Sequence, residues 1–123
     1  MKKEQIDFIC SLHGYLIRVK EIHWNTNSDA EHKLCDDINS CIGGCEDRFT
    51  ECLMGMTGEH FKIGDLKPML PRATELMSML NELEGEIIDY SEKLTSKKDG
   101  GLHNVLDELL ENVNKFKYRA TQS

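Results

Sequence analysis

An all-α fold of four helices, paired as two hairpins across a longer connector, is predicted by three features of the sequence. Apolar residues recur at three- and four-residue spacing through four separate segments. Both prolines, Pro68 and Pro71, fall together near the middle, close to Gly55, Gly58 and Gly64, so the helix breakers are gathered in one place. No segment alternates β-branched residues as a half-buried strand would. At 123 residues the chain is long enough for one core but not two, and residues 1–123 read as a single domain.

The first helix is expected over about residues 5–24, with Ile9, Leu12, Leu16, Val19 and His23 along one face. The segment NTNSDAE then supplies loop residues, and Ser28 or Asp29 is the expected cap of a second helix over about 30–54. Leu34, Ile38, Cys41, Cys45, Phe49 and Cys52 make its apolar side. A Pro/Gly-rich connector over about 55–70 follows. Leu76, Leu80, Leu83, Ile87 and Leu94 mark a third helix over about 72–95, which a charged, Gly-ended turn from Ser96 to Gly101 closes. Leu102, Val105, Leu106, Leu109, Val113 and Phe116 mark a fourth over about 102–119. Two helical hairpins joined by one long connection form a bundle of established topology.

Composition narrows the function classes. A formal charge of −7, with Lys2-Lys3 the only basic cluster at the N-terminus, argues against DNA or RNA as a partner, since phosphate backbones are held by clustered Lys and Arg. No apolar run approaches the roughly 20 residues that span a bilayer, and MKKEQIDF turns polar before a signal-peptide core could form, so a cytoplasmic protein is expected. Five cysteines are an odd number without C-x-x-C spacing, which reads as reduced thiols packed in the core rather than a zinc site.

The second helix carries the chemistry. With His32 at zero on a helical wheel, Asp36 falls at about 40°, Asp47 at about 60° and Glu51 at about 100°, on a face away from Ile38, Cys45 and Phe49. A solvated polar face is the bland reading of such a stripe. Its symmetry favours another: residues 32 and 51 share their midpoint with residues 36 and 47. Two copies packed antiparallel about a twofold axis near Cys41 and Ile42 would set His32 against Glu51 and Asp36 against Asp47, forming two identical sites. Ser40 and Gly43 are small enough for a close crossing there. The acids would repel unless a cation lay among them, and an oxygen-rich set with imidazole suits iron while admitting manganese or zinc. Read from the residues alone, His23 is a structural histidine and Trp24, the single tryptophan, a core or interface anchor. His13, His60 and His103 show no partner pattern and read as surface residues.

The segment IHWN, followed by His32-x3-Asp36 and then Asp47-x3-Glu51, resembles the signature of the Dps-type miniferritins, and weaker similarity runs on through DGGLHNVLDELLENVNKFKYR. The resemblance implies a ferritin-like four-helix bundle in which His23, His32 and Asp36 of one subunit and Asp47 and Glu51 of its twofold partner bind Fe(II). It places Trp24 beside the site, as an acceptor of stray oxidising equivalents. It further implies ferroxidase activity with peroxide or O₂, storage of Fe(III) mineral in a homo-oligomeric shell of twelve subunits, and protection against oxidative stress. The step from His23 to His32 is shorter than in the family, the connector is too short for the family's extra crossing helix, and no basic tail is present.

Two other readings compete. One is a non-catalytic structural or assembly protein that keeps the bundle and the dimer with a vestigial metal site; the shortened loop after Trp24 favours it. The other gives the chemistry to Cys41, Cys45 and Cys52, which share a helix face at four- and seven-residue spacing.

Overall fold

The four amphipathic segments become four helices in the computed structural model, which describes residues 1–122: α1 Lys3–Asn25, α2 Asp29–Thr57, α3 Leu76–Glu92 and α4 Gly100–Ala120. Among the described residues there is no strand. α1 packs on α2, α2 on α4, α4 on α3 and α3 on α1, closing a bundle around one continuous core.

Cross-links between the helices fix their directions. Phe8 stacks on Tyr90 at 4.2 Å between ring centroids, and the Tyr15 hydroxyl donates to Glu86 at 2.8 Å, so α3 runs antiparallel to α1. Arg48 pairs with Glu108 and Arg119 with Asp37, each at 2.8 Å, so α4 runs antiparallel to α2. α2 and α3 therefore point the same way, and the connector between them must travel the length of the bundle. A single long crossover of this kind is an established four-helix-bundle connectivity.

The crossover is laid along α1. The N-terminal ammonium of Met1 pairs with Glu59; further on, Met69 donates its N–H to Cys10 O at 3.1 Å, and Arg18 reaches Ala73 O at 2.6 Å. Gly14 lets the two backbones touch, since a Cβ at that position would overlap the carbonyl oxygen of Met69. No helix interrupts the connector between Thr57 and Leu76.

Several boundaries differ from expectation. α2 does not stop near residue 54 but runs through Gly55 to Gly58, whose left-handed φ of 71° ends the helix with its N–H on Met54 O. α3 begins at Leu76 rather than near 72 because the Arg72 and Ala73 N–H groups are held by the Glu82 carboxylate, which keeps those residues in the connector. It ends at Glu92, leaving Leu94 outside the helix, where its carbonyl meets His103 Nε2 at 2.6 Å. The charged segment after it is a short 3₁₀ turn, Lys97–Asp99, capped by Ser96. Gly100 opens α4 instead of closing α3.

The core also corrects one face. All six apolar positions named for α4 are buried. In α2 the buried residues are Leu34, Cys35, Ile38, Ile42, Cys45, Phe49 and Leu53, whereas Cys41 and Cys52 are only half-buried at the edge of the core. The reason is geometric. Cys41 and Cys52 lie on the edge of α2 beside α4, near Asn112 and Gly101 respectively, and Cys41 borders an open groove between the two helices, whereas Ile42 and Leu53 face the core.

Burial decides the state of the cysteines. Desolvation pushes the Cys45 thiol up to about 12 and the Cys35 thiol up to about 11, and raises that of Cys41 as well. Since thiolates are the reactive form, Cys35 and Cys45 should alkylate at neutral pH at least about a hundredfold more slowly in the native protein than in urea. Mass mapping after timed iodoacetamide treatment measures this; rapid native labelling of Cys45 would contradict the burial.

Candidate metal centre

The turn between α1 and α2 builds half of the site. α1 ends where Thr26 donates its N–H to Ile22 O, and Asn25 Nδ2 reaches back to Glu21 O. The Thr26 hydroxyl then accepts from Ser28 N, and the Ser28 hydroxyl caps α2 by accepting from Glu31 N at 3.2 Å. These bonds reverse the chain within three residues. They set the last turn of α1, with His23, against the first turns of α2, with His32 and Asp36.

The short loop does not carry His23 away. His23 Nδ1 lies 3.2 Å from Asp36 Oδ1, and the His23 and His32 rings sit 3.8 Å apart at a tilt of 48°. One donor atom from each of His23, His32 and Asp36 lies within 4.8 Å of the other two, and among the described residues no other group of three such donors gathers this closely. Donors around one ion at about 2.0–2.2 Å can be at most about 4.4 Å apart. Donors side by side on the ion sit closer still, about 3.0–3.6 Å apart, so closing on a cation needs the widest pair to draw in by up to about 1–2 Å, which rotation of the exposed His32 and Asp36 side chains allows.

Asp47 and Glu51 do not join this cluster within one chain. Asp47 lies eleven residues beyond Asp36, about 16 Å along the helix. Both acids are exposed and have no ion pair or hydrogen bond among the described residues. They share the outward side of α2 with Ser40 and Gly44, which are exposed, and Gly43, which is half-buried beside Leu16. Ile42, named above as marking the twofold axis, is fully buried; only its level along the helix can mark the axis, not its side chain. Trp24 is no core anchor, being 72 % exposed directly after His23.

Two other histidines are corrected. His13, expected to lie on the surface without a partner, is half-buried and contacts Glu46 Oε2 through Nδ1 at 3.0 Å; His103 is tied to Leu94 as described. Burial raises the Glu46 carboxyl, and His13 beside it pulls the other way. This pair was within reach of sequence reasoning. It lies ten residues before His23 on α1 and ten after Asp36 on α2, as the antiparallel register of a hairpin requires. His60 is exposed. Among the described residues no cysteine belongs to a cluster able to hold a metal.

Connectivity and donor cluster together define an all-α bundle that carries three candidate ligands on an outward face. By sequence the chain belongs to a family of unknown function, DUF5856, whose model matches residues 23–120 and so takes in all five candidate ligands, His23, His32, Asp36, Asp47 and Glu51. No curated protein and no solved structure matches the chain. Among the described residues no helix is long and apolar enough to cross a membrane.

Proposed function

We propose that this chain is a short, Dps-like iron-oxidising protein that binds Fe(II) as substrate between two antiparallel copies of α2. The gathering of His23, His32 and Asp36 donors on an exposed face carries the reading, because it leaves a cation-binding set incomplete within one chain. Asp47 and Glu51, lacking counter-charges of their own, stand where a twofold mate would use them. The two imidazoles and Asp36 would hold the ion from one side. The carboxylates of Asp47 and Glu51 would approach from the other, and added negative charge favours the ferric product over the ferrous substrate. Each Fe(II) gives up one electron; a molecule of peroxide takes two, with two protons, and leaves as two waters. Peroxide or O₂ is the co-reactant, and removal of both reagents of hydroxyl-radical chemistry is the protective effect. Manganese or zinc would fit the same donors without the turnover.

A non-catalytic assembly protein remains the alternative. The loop that favoured it by sequence brings His23 into contact with Asp36, which removes the geometric objection to an intact site. Native mass spectrometry with and without anaerobic Fe(II), followed by peroxide, tests the proposal. It expects a dimer or a higher multiple, the twelve-subunit shell included, with up to two irons per dimer and a protein-bound ferric absorbance after oxidation. A monomer that binds no iron would sink it, and a dimer that binds iron without oxidising it would favour the alternative.

A further inference from the structure

We infer that Trp24 of each copy docks into an apolar groove of the other, anchoring the same twofold pairing on which the proposed function rests. The groove, about 250 Å³, lies between α1, α2 and the connector. Its apolar walls include Ile9, Met54, Phe61 and Leu66, and its rim carries Asp47 and Glu51, the two acids assigned to the opposing half of the metal site. Trp24 follows His23 directly and is the most exposed aromatic side chain described. Bringing His23 and His32 against Asp47 and Glu51 of a second copy therefore brings the indole to the groove.

The register agrees. His23 opposite Asp36 and His13 opposite Glu46 set the level of Trp24 near Cys35 on its own α2. A twofold axis between residues 41 and 42 carries that level to about residue 48 of the other copy, inside the stretch from Glu46 to Met54 that lines the groove. Charge agrees as well. The same operation sets Lys33, exposed and without an ion pair of its own, opposite Thr50 and between Asp47 and Glu51. A second copy of the chain thus supplies the apolar body that the groove fits.

The single tryptophan makes the test direct. Its emission maximum should move to shorter wavelength as protein concentration rises through the dimerisation range, with Fe(II) under anaerobic conditions and without it. Trp24→Ala, and separately the surface variant Leu66→Glu, should each weaken dimerisation in sedimentation equilibrium by on the order of thirtyfold or more, as loss of a buried aromatic anchor does. In Leu66→Glu the emission should stay at the exposed wavelength, with circular dichroism verifying that both variants fold. A saturated dimer whose indole still emits as exposed, or a Trp24→Ala dimer of unchanged affinity, overturns the inference, even if Fe(II) binds and the metal reading stands. A blue-shifted, tryptophan-dependent dimer that binds no Fe(II) upholds the inference and sinks the metal reading. A chain that stays monomeric at every concentration overturns both.

Discussion

Mixing the single variants His32→Ala and Glu51→Ala should restore iron oxidation that neither variant shows alone. In a homodimer of either variant both sites lack one ligand. Loss of an outer-shell partner alone costs about 10–100-fold in metal affinity, and loss of a ligand should cost no less. In a mixed dimer the surviving His32 of one chain meets the surviving Glu51 of the other, giving one whole site beside one doubly broken site. Random reassortment makes half the dimers mixed, so the recovered activity should be about a quarter of wild type. The double variant His32→Ala/Glu51→Ala, mixed with itself, should recover nothing. Stopped-flow ferric absorbance after co-refolding reads all three samples. A mixture no more active than its parents would place the chemistry within one chain, or elsewhere, and end the shared-site proposal.

The largest effect on stability is expected at Gly14. Alanine in the middle of an exposed helix normally gains about 1 kcal/mol over glycine. At Gly14 the new methyl would strike the Met69 carbonyl, a backbone group held by the connector's bonds to Cys10 and Arg18. Backbone cannot swing aside as a side-chain tip can, so Gly14→Ala should cost about 2–4 kcal/mol. The melting temperature should fall by more than about 8 °C. Gly85→Ala is the control: it lies exposed in α3 with nothing near its Cβ position, and it should stabilise slightly. If both variants melted alike, the connector would not be seated on α1.

Helical periodicity made most of the fold legible, most cleanly in α4, whose apolar face meets the bundle without ambiguity. α2 was harder to read because it touches two neighbours. Thiols on one edge of its stripe looked as apolar as Ile42 and Leu53 on the other, and periodicity alone does not show that the thiol edge, though beside α4, borders an open groove. His32, Asp36, Asp47 and Glu51 were legible by spacing, whereas His23 read as structural until the resemblance was weighed; its donor does gather with those of His32 and Asp36. Contacts between the connector and α1 left no trace in the sequence except Gly14, since backbone-to-backbone bonds ask little of the side chains above them. Glu82 holding Arg72 and Ala73 is of the same kind: a carboxylate on an amphipathic helix looks like any solvated charge until the chain folds back over it.

The crossover has a consequence for the order of assembly. Pairing within α1 and α2 is local, across a reversal of three residues, whereas the connector's bonds to Cys10 and Arg18 close spans of 55 residues or more. Closing long spans is entropically slower than zipping neighbours, so the hairpins should mature before the strap settles. Phe61 and Leu66 belong to that strap, and the face they complete therefore does not exist on a half-folded chain. Nascent chains in this state would carry the metal-site residues of α1 and α2 but would lack the seat for Trp24, so in the proposed pairing the indole contact would be added only once the strap has settled.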